Sequence, residues 1–156
     1  MIQVYIGIDP GKTGAVAALQ CDAGTVSAKV WDYDDQEGME GLEWLVQAGC
    51  YNIKACVEKQ QAWPKQGVSS VFKLGENYGR WQGRLEVLKI SYELVTPAMW
   101  RKGVFDAMPK QEDKKAMSLD LARRLFPELV GELKRKKDHG RAEALLIAEW
   151  LRRKSV

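Results

Sequence analysis

The chain has 156 residues, 46% of them hydrophobic, which fits one compact domain with a full core, and we expect a single domain over residues 1–156. It has no apolar run long enough to span a bilayer, no signal-peptide pattern and no metal-ligand spacing among its cysteines, so we expect a cytoplasmic rather than a membrane or exported protein. The net charge is only +3, but the charges are unevenly distributed. Residues 1–58 carry 3 Lys and Arg against 9 Asp and Glu, whereas residues 101–156 carry 15 Lys and Arg against 9 Asp and Glu. A basic region of this kind indicates either a polyanionic partner or a solvated helical surface.

The first part of the chain predicts an antiparallel meander. Apolar strands are predicted over residues 3–9, 15–20 and 26–33. The segments between them, residues 10–14 and 22–24, contain the glycine, proline and aspartate residues that are typical of turns. Three short strands with tight connections favour neighbouring antiparallel strands.

The rest of the chain alternates helices and strands. An amphipathic helix is predicted near residues 38–49, because its apolar residues recur at helical spacing. The elements predicted after it are a central strand at 53–58, a long helix at 69–88, a strand at 92–96, and helices at 114–126 and 141–153. This order predicts an α/β fold with a mixed five-stranded sheet, three antiparallel strands followed by two parallel ones, flanked by helices.

Acidic residues end two of the predicted strands. Asp9 ends the first strand and Glu58 ends the fourth. If these strands are neighbours, the two carboxylates meet at one edge of the sheet, where open α/β sheets bind their ligands. A carboxylate in an apolar strand is costly unless something pairs with it. Simpler roles stay open at this point, a turn cap for Asp9 and a lysine partner for Glu58.

A third acid lies on the last predicted helix. Glu143 shares a helical stripe with Leu146, Ile147 and Trp150, which predicts that it points inward, although an acid in a first helical turn is also favoured by the helix dipole. Three converging carboxylates repel one another unless a divalent cation joins them. Mg²⁺, with Mn²⁺ as a substitute, prefers such oxygen ligands, and two ions would serve phosphodiester hydrolysis.

Five segments of the sequence together resemble a known family. They are GIDPGKTGAVA, CVEKQQAWPKQGVSSVFKLGENYGRWQGRL, VTPAMWRK, KKAMSLDLARRLFP and KKDHGRAEALLIAEW. In this order and over nearly the whole length, they resemble the RuvC-type Holliday junction resolvases, in particular the short bacteriophage branch. The resemblance implies a ribonuclease H-like fold, a homodimer, a bacterial or phage-infected host cell, and Mg²⁺-dependent nicking of opposed strands at four-way DNA junctions.

The resemblance also implies a set of metal ligands. Asp9, Glu58 and Glu143 match the family's catalytic acids by position. The family places a fourth ligand three or four residues before the last acid. Here His139 stands four residues before Glu143, one helical turn away, and Asp138 stands five before it. Asp138 reaches the metal only if the helix begins late and is otherwise an N-cap, so the fourth ligand stays open between His139 and Asp138.

Basic residues are candidates for DNA contacts. Lys115 matches a lysine that the family uses near the scissile phosphate, and Lys102 is a looser match to a second one. Either could instead be a plain surface lysine. A basic run before the last acids is expected to contact the DNA backbone regardless of sequence: Lys134, Arg135, Lys136 and Lys137.

One aromatic residue stands in a predicted loop. Trp63 follows Glu58 by five residues and precedes Pro64. Resolvases of this family place a base-stacking aromatic closer to the glutamate, at the position of Gln61. Trp63 is therefore a candidate for stacking on an unpaired base by chemistry rather than by register. The alternative is a loop tryptophan packed on the core.

The long helix has glycines every four residues, at Gly75, Gly79 and Gly83. Glycine weakens a helix, so such a row predicts close packing against another backbone. That neighbour is either the same helix of a second subunit or another element of the same chain. A two-fold dimer would suit a junction of near two-fold symmetry.

Two further functions remain open beside the nuclease. The same fold could be a non-cleaving module that binds branched DNA with its basic face. The segment DPGKTG alone suggests a phosphate-binding ATPase domain, but the chain is too short for the duplicated fold that those enzymes need.

Overall fold

The sheet has five strands in the order β3-β2-β1-β4-β5. The computed structural model describes residues 1–33, 36–106, 108–109 and 112–156. The strands are β1 (Ile2–Asp9), β2 (Ala15–Asp22), β3 (Thr25–Asp32), β4 (Tyr51–Glu58) and β5 (Ser91–Val95). All five predicted strands are present, with ends shifted by one or two residues.

The strand directions confirm the predicted mixed sheet. β1 pairs antiparallel with β2, and β2 pairs antiparallel with β3. β1 and β4 are parallel neighbours, as are β4 and β5. Ile8 lies opposite Val57, so the next residues, Asp9 and Glu58, end adjacent strands at the same edge of the sheet.

Helices cover both faces of the sheet and enclose two apolar cores. One core contains Leu42 and Trp81, and the other contains Trp100 and Leu146. Successive side chains of β1 point to opposite faces of the sheet, so this strand contributes residues to both cores. The helices are α1 (Gln36–Ala48), α2 (Val68–Val87), α3 (Pro97–Phe105), α4 (Lys114–Leu125) and α5 (His139–Ser155), with 3₁₀ helices at Pro127–Leu133 and Lys136–Asp138. Within the described ranges, no helix combines the length and the apolar content needed to cross a bilayer.

Helix α3 was not predicted from the sequence. The Thr-Pro pair at residues 96–97 suggested only the end of a strand, but it begins a helix. The Thr96 hydroxyl caps that helix by accepting the Met99 N–H at 3.3 Å, and Pro97 occupies the first turn, where its missing N–H costs nothing. The signal for α3 was therefore present in the sequence.

Helix α5 begins at His139, two residues before the predicted start at residue 141, and lies directly on β1. A β-carbon at Gly7 would overlap the Ala144 carbonyl oxygen, and one at Gly140 would overlap the Thr13 carbonyl oxygen. These two glycines permit the backbone contact that sets the height of α5 above the sheet edge.

The glycine row of α2 faces away from the described chain. A β-carbon added at Gly75, Gly79 or Gly83 would meet no described atom within 4 Å. Among the described residues, the alternative that these glycines pack against another element of the same chain is therefore not observed. Packing against a second subunit stays a prediction.

Candidate functional site

Three buried carboxylates meet at the edge of the sheet. Asp9 ends β1, Glu58 ends β4, and Glu143 lies in the second turn of α5; each is no more than 8% exposed. The three carboxyl groups are close enough for their charges to interact: those of Glu58 and Glu143 raise the pKa of Asp9, and that of Glu143 raises the pKa of Glu58. The structure thus brings together the three acids that the strand order placed at one edge.

The surroundings of Asp9 disfavour its ionised form. Burial and the charges of Glu58 and Glu143 raise the pKa of Asp9 well above its usual value, against the lowering effect of one hydrogen bond from Gly11. The Gly11 N–H donates to Oδ1 of Asp9 at 3.0 Å. Asp9 therefore supports its turn, and its negative charge is disfavoured as long as nothing offsets the charges of the other two acids.

Glu58 has hydrogen-bond donors on both oxygens. Burial raises the pKa of Glu58, and the indole N–H of Trp100 partly offsets that rise. Nε1 of Trp100 donates to Oε2 at 2.6 Å, and Nε2 of Gln60 donates to Oε1 at 3.2 Å. In the described part of the chain, the donors to the Glu58 carboxylate are therefore a tryptophan and a glutamine. The alternative of a lysine partner is not observed there.

Glu143 forms the one ion pair of the carboxylate cluster among the described contacts. Nη2 of Arg101 donates to Oε1 of Glu143 at 3.0 Å. The guanidinium also lies over the ring of Trp100, 5.0 Å from its centroid. The sequence reasoning missed Trp100 and Arg101 because it missed α3, the helix that carries both.

The donor set suits a hard divalent cation. Three carboxylates supply the oxygen ligands that Mg²⁺ and Mn²⁺ prefer, and a cation would relieve their mutual repulsion. Within the described residues, no three His, Cys, Asp or Glu side chains are already arranged as a metal site. Glu58 and Glu143 instead bind Trp100 and Arg101. The residues present fit the cation by chemistry, and their side chains are held by hydrogen bonds.

The two candidates for the fourth ligand have different surroundings. Asp138 is buried and receives two bonds on each oxygen from Arg135, whose backbone N–H and guanidinium lie 2.8–3.3 Å away. Burial raises the pKa of Asp138, but these bonds lower it more, so the net pKa falls below its usual value. Asp138 occupies the N-cap position of α5 without making a capping bond. His139 begins α5, with Nε2 3.5 Å from Oγ1 of Thr13.

The predicted DNA-contacting lysines lie on the surface. Lys115 is exposed in the first turn of α4, and Lys102 is exposed on α3. The basic run occupies the exposed segment around the second 3₁₀ helix, and its Arg135 side chain is committed to Asp138. Lys137 lines a surface cavity of about 320 Å³ together with Lys12, a residue that the sequence reasoning did not single out.

Trp63 lies in the loop between β4 and α2 with 62% of its surface exposed. Its backbone N–H donates to Oε1 of Gln66 at 2.6 Å, which closes a short turn. The alternative of a tryptophan packed on the core does not match this exposure. The indole ring is accessible to a stacking partner.

Comparison with known sequences finds a partial similarity to one resolvase. No family model matches the chain. A stretch of 74 residues is 39% identical to the chloroplastic Holliday junction resolvase MOC1 of Chlamydomonas reinhardtii, covering 46% of this chain and 8% of that protein. The chain thus spans only a small part of the length of the relative it matches.

Solved structures match over almost the whole chain. The RuvC structure of Thermus thermophilus superposes with a TM-score of 0.51 at 18% identity, and RuvC of the same organism in complex with a Holliday junction substrate superposes with a TM-score of 0.55 at 16% identity. Each alignment covers 97% of this chain and 96% of the other. This chain has the RuvC-type, ribonuclease H-like fold.

Proposed function

We propose that the protein is a structure-selective DNA endonuclease that nicks four-way junctions, or other branched DNA, by Mg²⁺-dependent phosphodiester hydrolysis with two metal ions. The observation that carries this proposal is the convergence of Asp9, Glu58 and Glu143, buried and close together, at the edge of a RuvC-type sheet. Partial sequence similarity to a Holliday junction resolvase supports the same substrate class. Assignment to the short bacteriophage branch stays a prediction from the sequence motifs.

In this proposal the three acids hold the metal, and either His139 or Asp138 completes the ligand set. Mg²⁺, with Mn²⁺ as a substitute, would supply an activated water and stabilise charge on the leaving oxygen. The exposed ammonium groups of Lys115 and Lys102 would bind non-bridging phosphate oxygens. The accessible ring of Trp63 would stack on an unpaired base where the junction opens.

The proposal includes a homodimer in the cytoplasm of a bacterial or phage-infected cell. The glycine row on α2 leaves room for a second backbone, and the same helix exposes Phe72 at 74%. Two copies related by a two-fold axis would present two sites to the opposed strands of a junction.

The alternative, a non-cleaving module that binds branched DNA, has one observation in its favour. Glu58 and Glu143 are bound to Trp100 and Arg101, and the described residues hold no preassembled metal cluster. A protein that uses its basic surface alone would need nothing more from these acids than their place in the fold.

A cleavage assay on a synthetic four-way junction separates the two functions. With Mg²⁺ or Mn²⁺ we expect paired nicks in opposed strands, no cleavage of linear duplex of the same sequence, and no cleavage in EDTA. Asp9→Asn serves as the control for a contaminating nuclease. Tight junction binding without nicks in either metal would support the non-cleaving module instead.

A further inference from the structure

A tryptophan behind the carboxylate cluster donates its only polar hydrogen to one of the acids. Trp100 is 0% exposed, and its Nε1 lies 2.6 Å from Oε2 of Glu58. An indole N–H is a donor only, so it can be satisfied at this site only by an acceptor such as this carboxylate. A bond to a charged acceptor in a buried setting is among the stronger hydrogen bonds in proteins.

A second buried tryptophan shows that core packing alone does not require this bond. Trp81 is 1% exposed and fills the opposite core, yet its Nε1 has no hydrogen-bond partner in the described part of the chain. The two indole rings serve equally as apolar filling. Only the N–H of Trp100 is directed at the acidic site.

The bond fixes one Glu58 oxygen while Gln60 reaches the other. A carboxylate has about four acceptor positions, so two donors leave lone pairs free for a cation. Trp100 is itself held by the tight packing of its own core and by the Arg101 guanidinium over its ring. Arg101 in turn binds Glu143, so adjacent residues of α3 contact acids from two different elements.

We propose that Trp100 is a positioning residue for the metal site: its indole N–H sets the orientation in which the Glu58 carboxylate binds a divalent cation. The proposal rests on the proposed function, since it needs Glu58 to be a metal ligand. Trp100 acts through Glu58 and has no direct contact with cation or DNA. Partners of this kind typically raise metal affinity by 10–100-fold.

The test compares Trp100→Phe with Trp81→Phe. Both variants lose the same atoms from a buried ring, but only the first loses a carboxylate donor. We expect Mn²⁺ affinity, measured by titration calorimetry, to fall about 10–100-fold in Trp100→Phe and to stay within about twofold in Trp81→Phe. Junction affinity in EDTA should be equal in both, and cleavage by Trp100→Phe should recover in part at high Mn²⁺.

A bicyclic isostere removes the effect of a packing defect. Replacing Trp100 by 3-benzothienylalanine keeps the bicyclic ring and puts sulfur, which cannot donate, in place of the N–H, so this variant decides the matter if Trp100→Phe does not fold. Weakened Mn²⁺ binding by the isostere supports the positioning role. Wild-type Mn²⁺ affinity in the isostere overturns it and leaves the proposed function intact. Absence of Mn²⁺ binding by the wild-type protein overturns both.

Discussion

The five carboxylates buried in the described part of the chain fall into two groups. Asp138 and Glu149 are each bound by arginines, whereas Asp9, Glu58 and Glu143 lie close to one another and have a single arginine among their described partners, Arg101 on Glu143. Burial raises the pKa values of Asp9 and Glu58, and the nearby acids raise them further. Burial alone therefore does not distinguish the groups. What distinguishes the two groups is the charge of the side chains beside each acid: arginines beside Asp138 and Glu149, and other acids beside Asp9 and Glu58.

The arginine-bound acids show how this protein neutralises a buried charge for structural purposes. Glu149 accepts three bonds of 2.7–2.8 Å from Arg152 and Arg153. Burial raises its pKa, but the two guanidinium groups lower it more, so the net pKa lies below its usual value. The cluster at the sheet edge has only Arg101 as an ion-pair partner among the described contacts. This difference in partners fits the proposal that a cation from solution completes the cluster.

The largest expected effect comes from removing charge in the cluster. Asp9→Asn, Glu58→Gln and Glu143→Gln should each lower the cleavage rate by about 10³-fold or more, because a bound metal supplies several kcal/mol of transition-state stabilisation. Junction affinity should stay close to that of the wild type. Glu149→Gln is the matched control and should cleave normally. Single-turnover cleavage of a labelled junction measures all four, and near-normal cleavage by any cluster variant would exclude that residue as a metal ligand.

The next effect separates the candidates for the fourth ligand. Only a neutral imidazole binds a metal, so a histidine ligand makes Mn²⁺ affinity fall as the pH drops through the range in which imidazoles titrate. We expect His139→Ala to remove the part of this pH dependence that the imidazole contributes, and most of the activity. Asp138→Asn should leave both largely unchanged, because its oxygens are occupied by Arg135. Calorimetric titration at several pH values decides, and an inactive Asp138→Asn beside an active His139→Ala would assign the site to Asp138.

Stability should depend on pH in opposite directions in the two groups. The raised pKa of Asp9 means that its ionisation costs folding free energy; this cost is absent below about pH 4 and grows as the pH rises toward the raised value. The lowered pKa of Glu149 means that its stabilisation is full above the usual glutamate range and is lost as the pH falls through the lowered value.

Without divalent cations at pH 7, we therefore expect Asp9→Asn to stabilise the protein and Glu149→Gln to destabilise it by about 2 kcal/mol. The difference in unfolding free energy between each variant and the wild-type protein should become smaller as the pH is lowered toward 4. Urea unfolding in EDTA at the two pH values measures them. A shift of the same sign in both variants at pH 7 would remove the electrostatic distinction between the groups.

The smallest expected effect concerns the basic run. Lys134, Lys136 and Lys137 are exposed, whereas Arg135 is bound to Asp138. Each Lys→Ala change that removes a phosphate contact should reduce the slope of log affinity against log salt by about 0.9. Lys54→Ala makes the same charge change in the half of β4 away from Glu58 and should not alter the slope. Fluorescence anisotropy over a salt series is the measurement, and an unaltered slope in all three variants would move the DNA path elsewhere.

The antiparallel arrangement of the first three strands was predictable because local signals decide it, whereas the pairing of β1 with β4 entered only as a condition. Tight turns after Asp9 and Asp22 predicted antiparallel neighbours, and the apolar run ending at Glu58 predicted a central strand. With β1 and β4 as neighbours, the same reasoning predicts Asp9 and Glu58 at one edge, and the helical stripe predicts that Glu143 points inward. The structure has these three side chains buried together.

The immediate partners of these acids were not predictable from spacing. Trp100 lies 42 residues from Glu58 in sequence, and its hydrogen bond exists because the Thr96 cap starts a helix beside the end of β4. For Asp138 the sequence left a metal ligand and an N-cap open, and in the structure its oxygens are instead bound by Arg135. Such outcomes depend on the relative positions of packed elements, which periodicity along a single segment does not encode.

The anomalous difference map of the protein crystallised with Mn²⁺ and an uncleaved junction tests the central claim most directly. Because Mn²⁺ scatters anomalously, the map locates the metal independently of activity. The account predicts peaks bounded by Asp9, Glu58 and Glu143, and none at Glu149. Occupied Mn²⁺ elsewhere, with the three carboxylates still bound only to Trp100, Arg101 and one another, would contradict it.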